Sequence, residues 1–376
     1  MKIAHLTSAH RRYDTRIFLK ECTSLAGAGY DVYLVVADGN GDEKKDGVNI
    51  CDVGAYKGRF ERMFHVSGRI FKKSILLNAD VYHIHDPELM PIGLRLKKKG
   101  KKVIFDIHEN TDLQILTKEW IPLYFRKWIS VIFKLYEGYA CKMFDCLIVP
   151  QVSMESKFSK FSKTEIIANF PSVKSHVRKR ENLSRFHLFY SGGLGKARGL
   201  FNMLDLINVL ATIDDRYQLK LAGPILSEDL VSVKTHPGWK NTKYLGVLSS
   251  EEIYKEYKEN TIGLILFNNV GQYYMAYSLK LFEYMQNGMI VLMPNFGDWL
   301  KFNDSYNVGF NVDSTNEKDL SYDVISDKNV LSEGNNVASK NTGSINIPSK
   351  EQPIIKLSDK SIDIKPQYNN PKLINN

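Results

Sequence analysis

Titratable side chains crowd into three short stretches of the first half of the chain. The stretches are 10–16 (HRRYDTR), 83–88 (HIHDPE) and 106–110 (DIHEN), and each follows a short apolar run. Imidazole and carboxylate groups can exchange protons and bind cations or hydroxyl groups. If the apolar runs are parallel strands, their carboxyl ends meet at one edge of a sheet and these side chains converge. The candidate site residues of this half are Arg11, Asp14, Arg16, His85, Asp86, His108 and Glu109.

The spacing of the histidines leaves metal binding open. His83 and His85 would share one face of a strand, and His108 could add a third ligand. A metal-dependent hydrolase built on these three histidines is therefore one alternative function. A complete run of ligands is not evident, so we expect no bound metal and no cofactor. For Asp86 we expect a helix-capping or hydrogen-bonding role, with Pro87 at the first helical position.

A glycine-rich stretch in the second half is suited to anion binding. Residues 191–199 (SGGLGKARG) lie between a predicted strand and a predicted helix. Glycines let the backbone approach an anion, the helix start offers free N–H groups, and Lys196 and Arg198 add positive charge. The stretch lacks the GxxxxGK[ST] pattern of a P-loop. It is therefore a general phosphate-binding candidate, with Gly192 and Gly193 at its turn.

The most specific stretch of the second half is 277–291 (YSLKLFEYMQNGMIV). Glu283 lies in a short predicted helix that ends at Gly288 and precedes a strand. A carboxylate there can accept hydrogen bonds from both hydroxyls of a ribose, and Lys280 near the helix start can face a phosphate. The strand-end position of 246–247 marks a further candidate contact at Val247.

The wider pattern is an alternation of strands and helices, which predicts parallel sheets covered on both faces. The predicted strands of the first half are Lys2–Thr7, Asp31–Ala37, Val81–His85, Val103–Ile107 and Cys146–Pro150, with a helix over Arg16–Ala28. The pattern restarts with strands at Phe186–Tyr190, Gln218–Ala222, Lys243–Leu245, Ile262–Phe267 and Met289–Met293, and with helices at Gly199–Ala211, Ser249–Glu259 and Ser278–Gln286. We therefore predict an α/β protein with two doubly wound domains, 1–170 and 171–313. Residues 314–376 are polar, and we expect a poorly ordered tail.

The excess of basic residues and one long amphipathic helix suggest that the protein binds a lipid surface. The 376-residue chain has a formal net charge of +9, and residues 57–102 hold 12 basic and 4 acidic side chains. Motifs typical of nucleic-acid binding are not evident, so an anionic membrane surface is the expected partner and nucleic acid is not. Lys118–Met143 reads as an amphipathic helix with aromatic and basic residues interleaved. We expect it to pack mainly in the core, with an interfacial membrane helix as the alternative.

Cysteine spacing and hydropathy exclude several classes. The four cysteines, Cys22, Cys51, Cys141 and Cys146, show no CxxC spacing, which disfavours a structural zinc site and a disulfide framework. The sequence contains no run of about 18 apolar residues, so no transmembrane helix is expected. The segment His10–Arg12 interrupts any signal-peptide core, so secretion is not expected. The expected location is the cytoplasm.

Together these stretches resemble the GT-B glycosyltransferases of family 4, especially the bacterial branch that builds surface polysaccharides. The matching segments are His10–Glu21, His83–Leu89, Val103–Asn110, Tyr190–Gly199 and Lys280–Val291, followed by 296–299 (FGDW). The resemblance implies two Rossmann-like domains facing a cleft, with the acceptor bound mainly by the first and the nucleotide-sugar donor by the second. It also implies retention of anomeric configuration without a bound metal.

The resemblance assigns roles to individual residues. His108 and Glu283 are implied as the catalytic residues, with His108 contacting the donor near its sugar and phosphate and Glu283 holding the ribose. Arg198 and Lys280 are implied at the diphosphate, within a donor site that also includes Gly192, Gly193 and Lys196. Val247 is implied at the base.

The sequence departs from the family pattern at Met275, which stands where the first glutamate of an E-x7-E motif is expected, and at Gly193, where an arginine is usual. The expected function is transfer of a sugar from a UDP- or GDP-sugar to a lipid-linked saccharide in O-antigen, lipopolysaccharide, capsule or exopolysaccharide synthesis. The expected place is the inner face of the plasma membrane. A catalytically degenerate GT-B protein that only binds nucleotide is the other alternative.

Overall fold

The structure is a computed structural model that describes residues 1–118, 121–171, 186–226, 229–274, 277–313, 355–357 and 362–364. The chain divides into two compact units. The first contains Met1–Asn169, and the second begins at Phe170, with its described part ending at Asp313.

The first unit is built on an eight-stranded sheet in the order β3-β4-β2-β1-β5-β6-β7-β8. Its strands are β1 (Lys2–Leu6), β2 (Asp31–Val36), β3 (Glu43–Lys45), β4 (Val48–Asp52), β5 (Val81–Ile84), β6 (Lys102–Asp106), β7 (Cys146–Val149) and β8 (Thr164–Ile166). All neighbours pair in parallel except β3 with β4. Strands β5 and β7 are buried along their whole length, as expected for a sheet covered on both faces.

Helices cover both faces of this sheet and leave one buried apolar cluster on each. The described helices are α1 (Thr23–Gly27), α2 (Gly58–Glu61), α3 (Ser67–Leu77), α4 (Met90–Lys98), α5 (Thr111–Ile115), α6 (Leu123–Met143) and α7 (Val152–Phe158), with π-helical turns at Ile17–Cys22 and Arg62–Val66 and a 3-10 turn at Pro87–Leu89. The strand order reverses at β1, which lies between β2 and β5. Ligands of open parallel sheets bind beyond the carboxyl ends of strands at such a point.

The second unit holds a six-stranded parallel sheet in the order β11-β10-β9-β12-β13-β14. Its strands are β9 (His187–Ser191), β10 (Gln218–Ala222), β11 (Thr242–Tyr244), β12 (Ile262–Leu264), β13 (Ile290–Pro294) and β14 (Gly309–Val312). Its described helices are α8 (Leu200–Ile213), α9 (Leu230–Thr235), α10 (Ser250–Glu259), α11 (Leu279–Gln286) and α12 (Asp298–Tyr306), with 3-10 turns at Lys196–Arg198, Pro237–Asn241 and Gly271–Tyr274. The order reverses at β9, so the glycine-rich stretch that follows β9 lies at the switch point of this sheet.

The predicted alternation and both parallel sheets are confirmed, with ends that shift by one to three residues. The helix predicted over 16–28 is interrupted: a π-helical turn at Ile17–Cys22 runs directly into α1. The antiparallel β3–β4 pair and the edge strands β8 and β14 were not predicted, because three- to five-residue edge strands leave little periodicity to detect.

The tail predicted to be poorly ordered falls largely outside the described residues. Within it the structure describes two three-residue strands, β15 (Ile355–Leu357) and β16 (Ile362–Ile364), which pair antiparallel with each other.

The helix predicted over 118–143 forms as α6, but it begins at Leu123, after Pro122 at its N-cap position. Glu119 and Trp120 lie outside the described residues. The expectation that this segment packs mainly in the core is wrong. Its fully buried residues are Glu137, Gly138, Ala140 and Cys141, and Phe133 and Tyr136 pack half-buried against the core. Its exposed large apolar side chains are Leu123, Tyr124, Phe125, Trp128, Ile129, Val131, Ile132, Leu135, Tyr139 and Met143. No helix within the described ranges has the length and hydropathy needed to cross a bilayer.

Candidate functional site

A buried ion pair between Arg16 and Asp106 organises the carboxyl edge of the first sheet. Asp106 ends β6, and Arg16 follows the loop after β1. The guanidinium donates through Nε to Oδ2 at 2.9 Å and through Nη2 to Oδ1 at 2.8 Å, and through Nη1 to the carbonyl of Ile167 at 2.9 Å. Burial alone would raise the pKa of Asp106, but the Arg16 cation and hydrogen bonds from His108 and His85 hold it well below its usual range. Asp106 is therefore a permanent anion in the folded protein.

The Asp106 carboxylate orders two imidazoles. Its Oδ2 lies 3.0 Å from Nε2 of His108 and 3.4 Å from Nδ1 of His85. An anionic Oδ2 accepts a hydrogen bond from a nitrogen that carries a proton. The contact with His108 therefore selects the tautomer protonated at Nε2 and directs Nδ1 of that ring away from Asp106. Burial lowers the pKa of His85 to about 3, which keeps that ring neutral. The His108 side chain is 19% exposed and is the accessible imidazole of the pair.

A second histidine lies against His108. The rings of His10 and His108 are 4.9 Å apart between centroids. Nδ1 of His10 is 3.4 Å from Oδ2 of Asp14, and Nε2 is 3.4 Å from Oδ1 of Asp86. Burial opposes protonation of His10, but these carboxylates outweigh it and raise its pKa. A His10 ring biased toward its protonated form beside His108 gives this edge the means to hold an oxyanion or a hydroxyl oxygen.

The two carboxylates around His10 also hold the loop after β1. Asp14 Oδ1 accepts from the backbone nitrogens of Arg16 at 2.8 Å and Ile17 at 3.0 Å. These bonds and the one from His10 lower the pKa of Asp14, against the effect of burial. Asp86 does not cap the turn at Pro87–Leu89 with its side chain. Its Oδ2 instead accepts from Thr7 Oγ1 at 2.8 Å and from the backbone nitrogen of Ser8, which is the predicted hydrogen-bonding role.

Three predicted residues stand apart from the His10–His108 group in their described contacts. Arg11 is exposed, and its carbonyl accepts from the backbone nitrogen of Asp14. The Glu109 carboxylate accepts from Nε2 of Gln114. His83 lies among His5, His85 and Glu21 rather than with His108, so His83, His85 and His108 do not form one set of metal ligands.

The site prediction omitted two residues of this edge, His10 and Asp106; His10 begins the 10–16 stretch that supplied Asp14 and Arg16. Asp106 lies in the stretch that supplied His108, and a carboxylate at the end of an otherwise apolar strand is the signal that could have identified it. His85, Asp106 and His108 place ligand atoms within 4.8 Å of one another. Both oxygens of Asp106, however, are already engaged by Arg16.

In the second unit, the turn after β9 brings backbone and cations together. Gly192 has φ +135°, and a Cβ there would lie 2.7 Å from Cε and Nζ of Lys280. A Cβ on Gly193 would lie 3.2 Å from Nη1 of Arg198. Glycine at 192 therefore allows both the backbone conformation and the close approach of the ammonium group.

The two cations reach this turn from different elements. Lys280 lies in the first turn of α11, where the Ser278 side chain accepts from its backbone nitrogen. Arg198 donates through Nε to the hydroxyl of Tyr273 at 3.2 Å. Burial and the Arg198 cation lower the pKa of Lys280 to about 8, against the opposing effect of Glu283. Two cations held together at a glycine turn and a helix start form a site for a doubly charged anion.

Lys196, Val247 and Met275 were also predicted to belong to the donor site or to lie beside it. In their described contacts, Lys196 and Val247 stand apart from the Gly192–Gly193 turn. The Lys196 side chain is exposed, and its Nζ lies 3.6 Å from Oδ1 of Asp229. Val247 is also exposed, and the carbonyl of the preceding Gly246 accepts from the backbone nitrogen of Gly223 at 2.7 Å. Met275 lies outside the described residues.

Glu283 lies one turn beyond Lys280 on α11. Its Oε2 accepts from the hydroxyl of Tyr257 at 2.7 Å, and that hydroxyl lies 3.1 Å from Ser191 Oγ. Burial first, and then the Glu283 charge, raises the pKa of Tyr257. Tyr257 therefore remains a hydrogen-bond donor that orients the carboxylate. Sequence reasoning missed Tyr257, because its position 26 residues before Glu283 carries no local signal.

One family of known proteins matches part of this chain. The sequence model of Glycosyltransferase Family 4 matches residues 16–172, which contain the Arg16, His85, Asp106 and His108 edge. No curated protein sequence matches the chain.

Solved structures share the fold at low sequence identity. Sucrose-phosphate synthase from Thermosynechococcus elongatus matches with a TM-score of 0.68 at 15% identity, covering 90% of this chain and 94% of that one. HepE from Anabaena, solved in complex with UDP and glucose, matches with a TM-score of 0.64 at 12% identity, covering 91% and 95%. A trehalose-6-phosphate enzyme from E. coli bound with UDP-2-fluoro glucose matches with a TM-score of 0.62 at 13% identity, covering 91% and 96%. Residues 16–172 thus form a Glycosyltransferase Family 4 domain within a chain of GT-B fold, and the protein is a glycosyltransferase.

Proposed function

We propose that the protein is a retaining glycosyltransferase that moves a sugar from a UDP- or GDP-sugar to a lipid-linked saccharide in surface-polysaccharide synthesis. The observation that carries the proposal is the pair of cations, Lys280 and Arg198, at the Gly192–Gly193 turn, with Glu283 one helical turn away. Support comes from HepE and from the E. coli enzyme, which are similar in fold and bind UDP with glucose and UDP-2-fluoro glucose, respectively.

The proposed donor site has three parts. The diphosphate lies at the turn of Gly192 and Gly193, held by Lys280 and Arg198. The Glu283 carboxylate, oriented by Tyr257, accepts the ribose hydroxyls. The base contacts the backbone near Val247. Charge that develops on the departing diphosphate is stabilised by fixed cations and a helix terminus, so the transfer itself needs no metal ion.

In the first unit, the proposed catalytic residue is His108. Asp106 fixes the ring so that Nε2 carries the proton and Nδ1 faces away from the carboxylate. His10, whose pKa is raised by Asp14 and Asp86, lies beside it and is biased toward the cation. Catalysis in this scheme is electrostatic and positional, and the acceptor hydroxyl is held at this edge.

The acceptor side of the proposal rests on α6. Its exposed face combines Trp128 and Tyr124 with the basic residues Arg126, Lys127 and Lys134, the composition of a helix that lies in a bilayer interface. A lipid-linked saccharide must be met at such a surface. We therefore place the enzyme in the cytoplasm, peripherally on the inner face of the plasma membrane.

The direct test of the donor site is Glu283→Gln. The variant loses charge-assisted hydrogen bonds to ribose worth roughly 1.5–3 kcal/mol, so the Kd of UDP or GDP should rise about ten- to a hundredfold. Isothermal titration calorimetry measures this for whichever nucleotide binds wild type. Glu259→Gln, an exposed glutamate near Lys220, is the matched control and should bind like wild type. Unchanged affinity in Glu283→Gln would remove Glu283 from the site, and donor turnover abolished by EDTA would contradict a metal-free diphosphate site.

Lys280 should make nucleotide binding depend on pH. With a pKa of about 8 in the free protein, its ammonium is present at pH 7 and lost above pH 8. The affinity for UDP should therefore fall between pH 7 and pH 9, approaching about tenfold per pH unit at the upper end. Lys280→Arg keeps its charge over this range, so its affinity should be nearly flat, and it controls for ionisation of the ligand. Identical pH profiles in the two proteins would show that Lys280 does not bind the diphosphate as an ammonium.

The exposed face of α6 should bind anionic vesicles. Trp128, Ile132 and Leu135 each expose most of their surface, and replacing all three by Ser removes several kcal/mol of apolar burial, at about 1.5–3 kcal/mol per side chain. Co-sedimentation with phosphatidylglycerol-containing vesicles should weaken more than tenfold, while the Kd for nucleotide stays unchanged. Val231→Ser, at an exposed valine of α9, is the control. Wild-type protein that stays in the supernatant at low salt would refute the membrane surface.

A further inference from the structure

Four residues of the first unit form a buried cluster that the proposed reaction does not use: His5, Glu21, His83 and His85. His5 of β1 and His83 of β5 are register partners in the parallel sheet, so their side chains lie on the same face. His85 lies two residues beyond His83 and continues that face. Glu21 comes from the π-helical turn Ile17–Cys22, which packs against it. The sheet register therefore assembles three imidazoles and one carboxylate from three separate elements.

The distances within this cluster are those of a ligand shell. Oε2 of Glu21 lies 3.8 Å from His5 Nδ1, 4.0 Å from His83 Nδ1 and 3.9 Å from His85 Nε2. His5 Nδ1 and His85 Nε2 are 2.9 Å apart. Metal–ligand bonds of about 2.0–2.1 Å in a tetrahedron separate the ligand atoms by about 3.3–3.4 Å. A change of about half an ångström in each of these four distances would bring them to that spacing, and all the ligand atoms lie within 4.8 Å of one another.

Hydrogen bonding within the described chain accounts for only part of this arrangement, the contact between His5 Nδ1 and His85 Nε2. Both ring nitrogens of His83, Nε2 of His5 and both oxygens of Glu21 are buried without a hydrogen-bond partner among the described residues. Glu21 Oε1 has an ionic neighbour, Arg16 Nε at 3.1 Å, which leaves Oε2 facing the three imidazoles. Buried polar atoms left unsatisfied are costly and are rare in folded proteins.

We propose that His5, Glu21, His83 and His85 bind one zinc ion. Imidazole nitrogens and a carboxylate oxygen are ligands that Zn²⁺ accepts, and four protein ligands with no open position define a structural rather than a catalytic site. Outer contacts complete the site: His85 Nδ1 faces Asp106 Oδ2 at 3.4 Å, and Arg16 lies against the other oxygen of Glu21. The ion ties the Ile17–Cys22 turn to β1 and β5. It is enclosed in the first unit, so it is not part of the proposed diphosphate site in the second.

The experiment uses the full-length chain as purified, dialysed against EDTA at neutral pH to remove loosely bound ions. Elemental analysis should find one zinc per chain. Metal-free protein, prepared by unfolding with a chelator and refolding, should melt about 5 °C or more below the same protein refolded with Zn²⁺. Refolding with Co²⁺ should give the visible absorption of a tetrahedral centre. X-ray absorption should show nitrogen and oxygen ligands at about 2.0–2.1 Å.

Variants locate the ion. Glu21→Gln removes the anionic ligand with little change of shape and should abolish zinc retention. His108→Asn alters the neighbouring His85–Asp106–His108 group and should keep one zinc. Zinc retained by Glu21→Gln but lost from His108→Asn would overturn the proposal. It would equally be overturned if wild type retains no metal and refolds to the same melting temperature with and without Zn²⁺. If Glu21→Gln fails to fold, the Co²⁺ spectrum of wild type decides, since an octahedral, oxygen-rich centre contradicts the assigned ligands.

Discussion

The bidentate ion pair between Arg16 and Asp106 is the interaction on which the first unit's site depends. The two residues are 90 positions apart, and both side chains are almost fully buried. Removing two charges from water is costly, and their mutual attraction compensates only when the geometry is good and the remaining polar atoms are satisfied. Here Arg16 also binds the carbonyl of Ile167, and Asp106 also contacts His85 and His108. One pair thus joins the loop after β1, the end of β6 and the segment after β8.

This ion pair keeps Asp106 charged, while the three histidines around it differ in protonation and in exposure. His85 is neutral because it is buried, His10 is biased toward the cation by two carboxylates, and His108 is accessible and oriented. The second unit also fixes the positions of charged side chains, but without a buried ion pair of this kind among the contacts described for its site. There, glycine at 192 removes the side chain that would occupy the place of the Lys280 ammonium, and Tyr257 orients Glu283. Both arrangements lie beyond the carboxyl ends of strands at the point where the strand order reverses.

Much of this was accessible from the sequence because it is local. Apolar runs alternating with helical periodicity predicted both sheets, and strand-end stretches predicted His85, His108, Lys280 and Glu283 as candidates. What was missed depends on contacts between distant segments. The pairing of His5 with His83 needs the register of β1 against β5, and the Tyr257–Glu283 bond needs two helices to be placed. The exposure of α6 was misjudged because an amphipathic pattern alone does not tell which face packs. The fully buried residues of α6 are small or polar, such as Gly138 and Ala140, and only Phe133 and Tyr136 of its large apolar side chains pack against the core.

The most direct test of the account is a double-mutant cycle on Arg16 and Asp106. Arg16→Met, Asp106→Asn and the double variant would be compared by hydrogen exchange of the β1 and β6 amides, which reports the free energy of opening the first unit. Each single variant leaves one charge buried without its partner and should cost about 3–5 kcal/mol, whereas the double variant should cost little more than either. The account predicts a coupling free energy of about 3 kcal/mol or more. Single effects that add to within about 0.5 kcal/mol would contradict it, because Arg16 and Asp106 would then act independently.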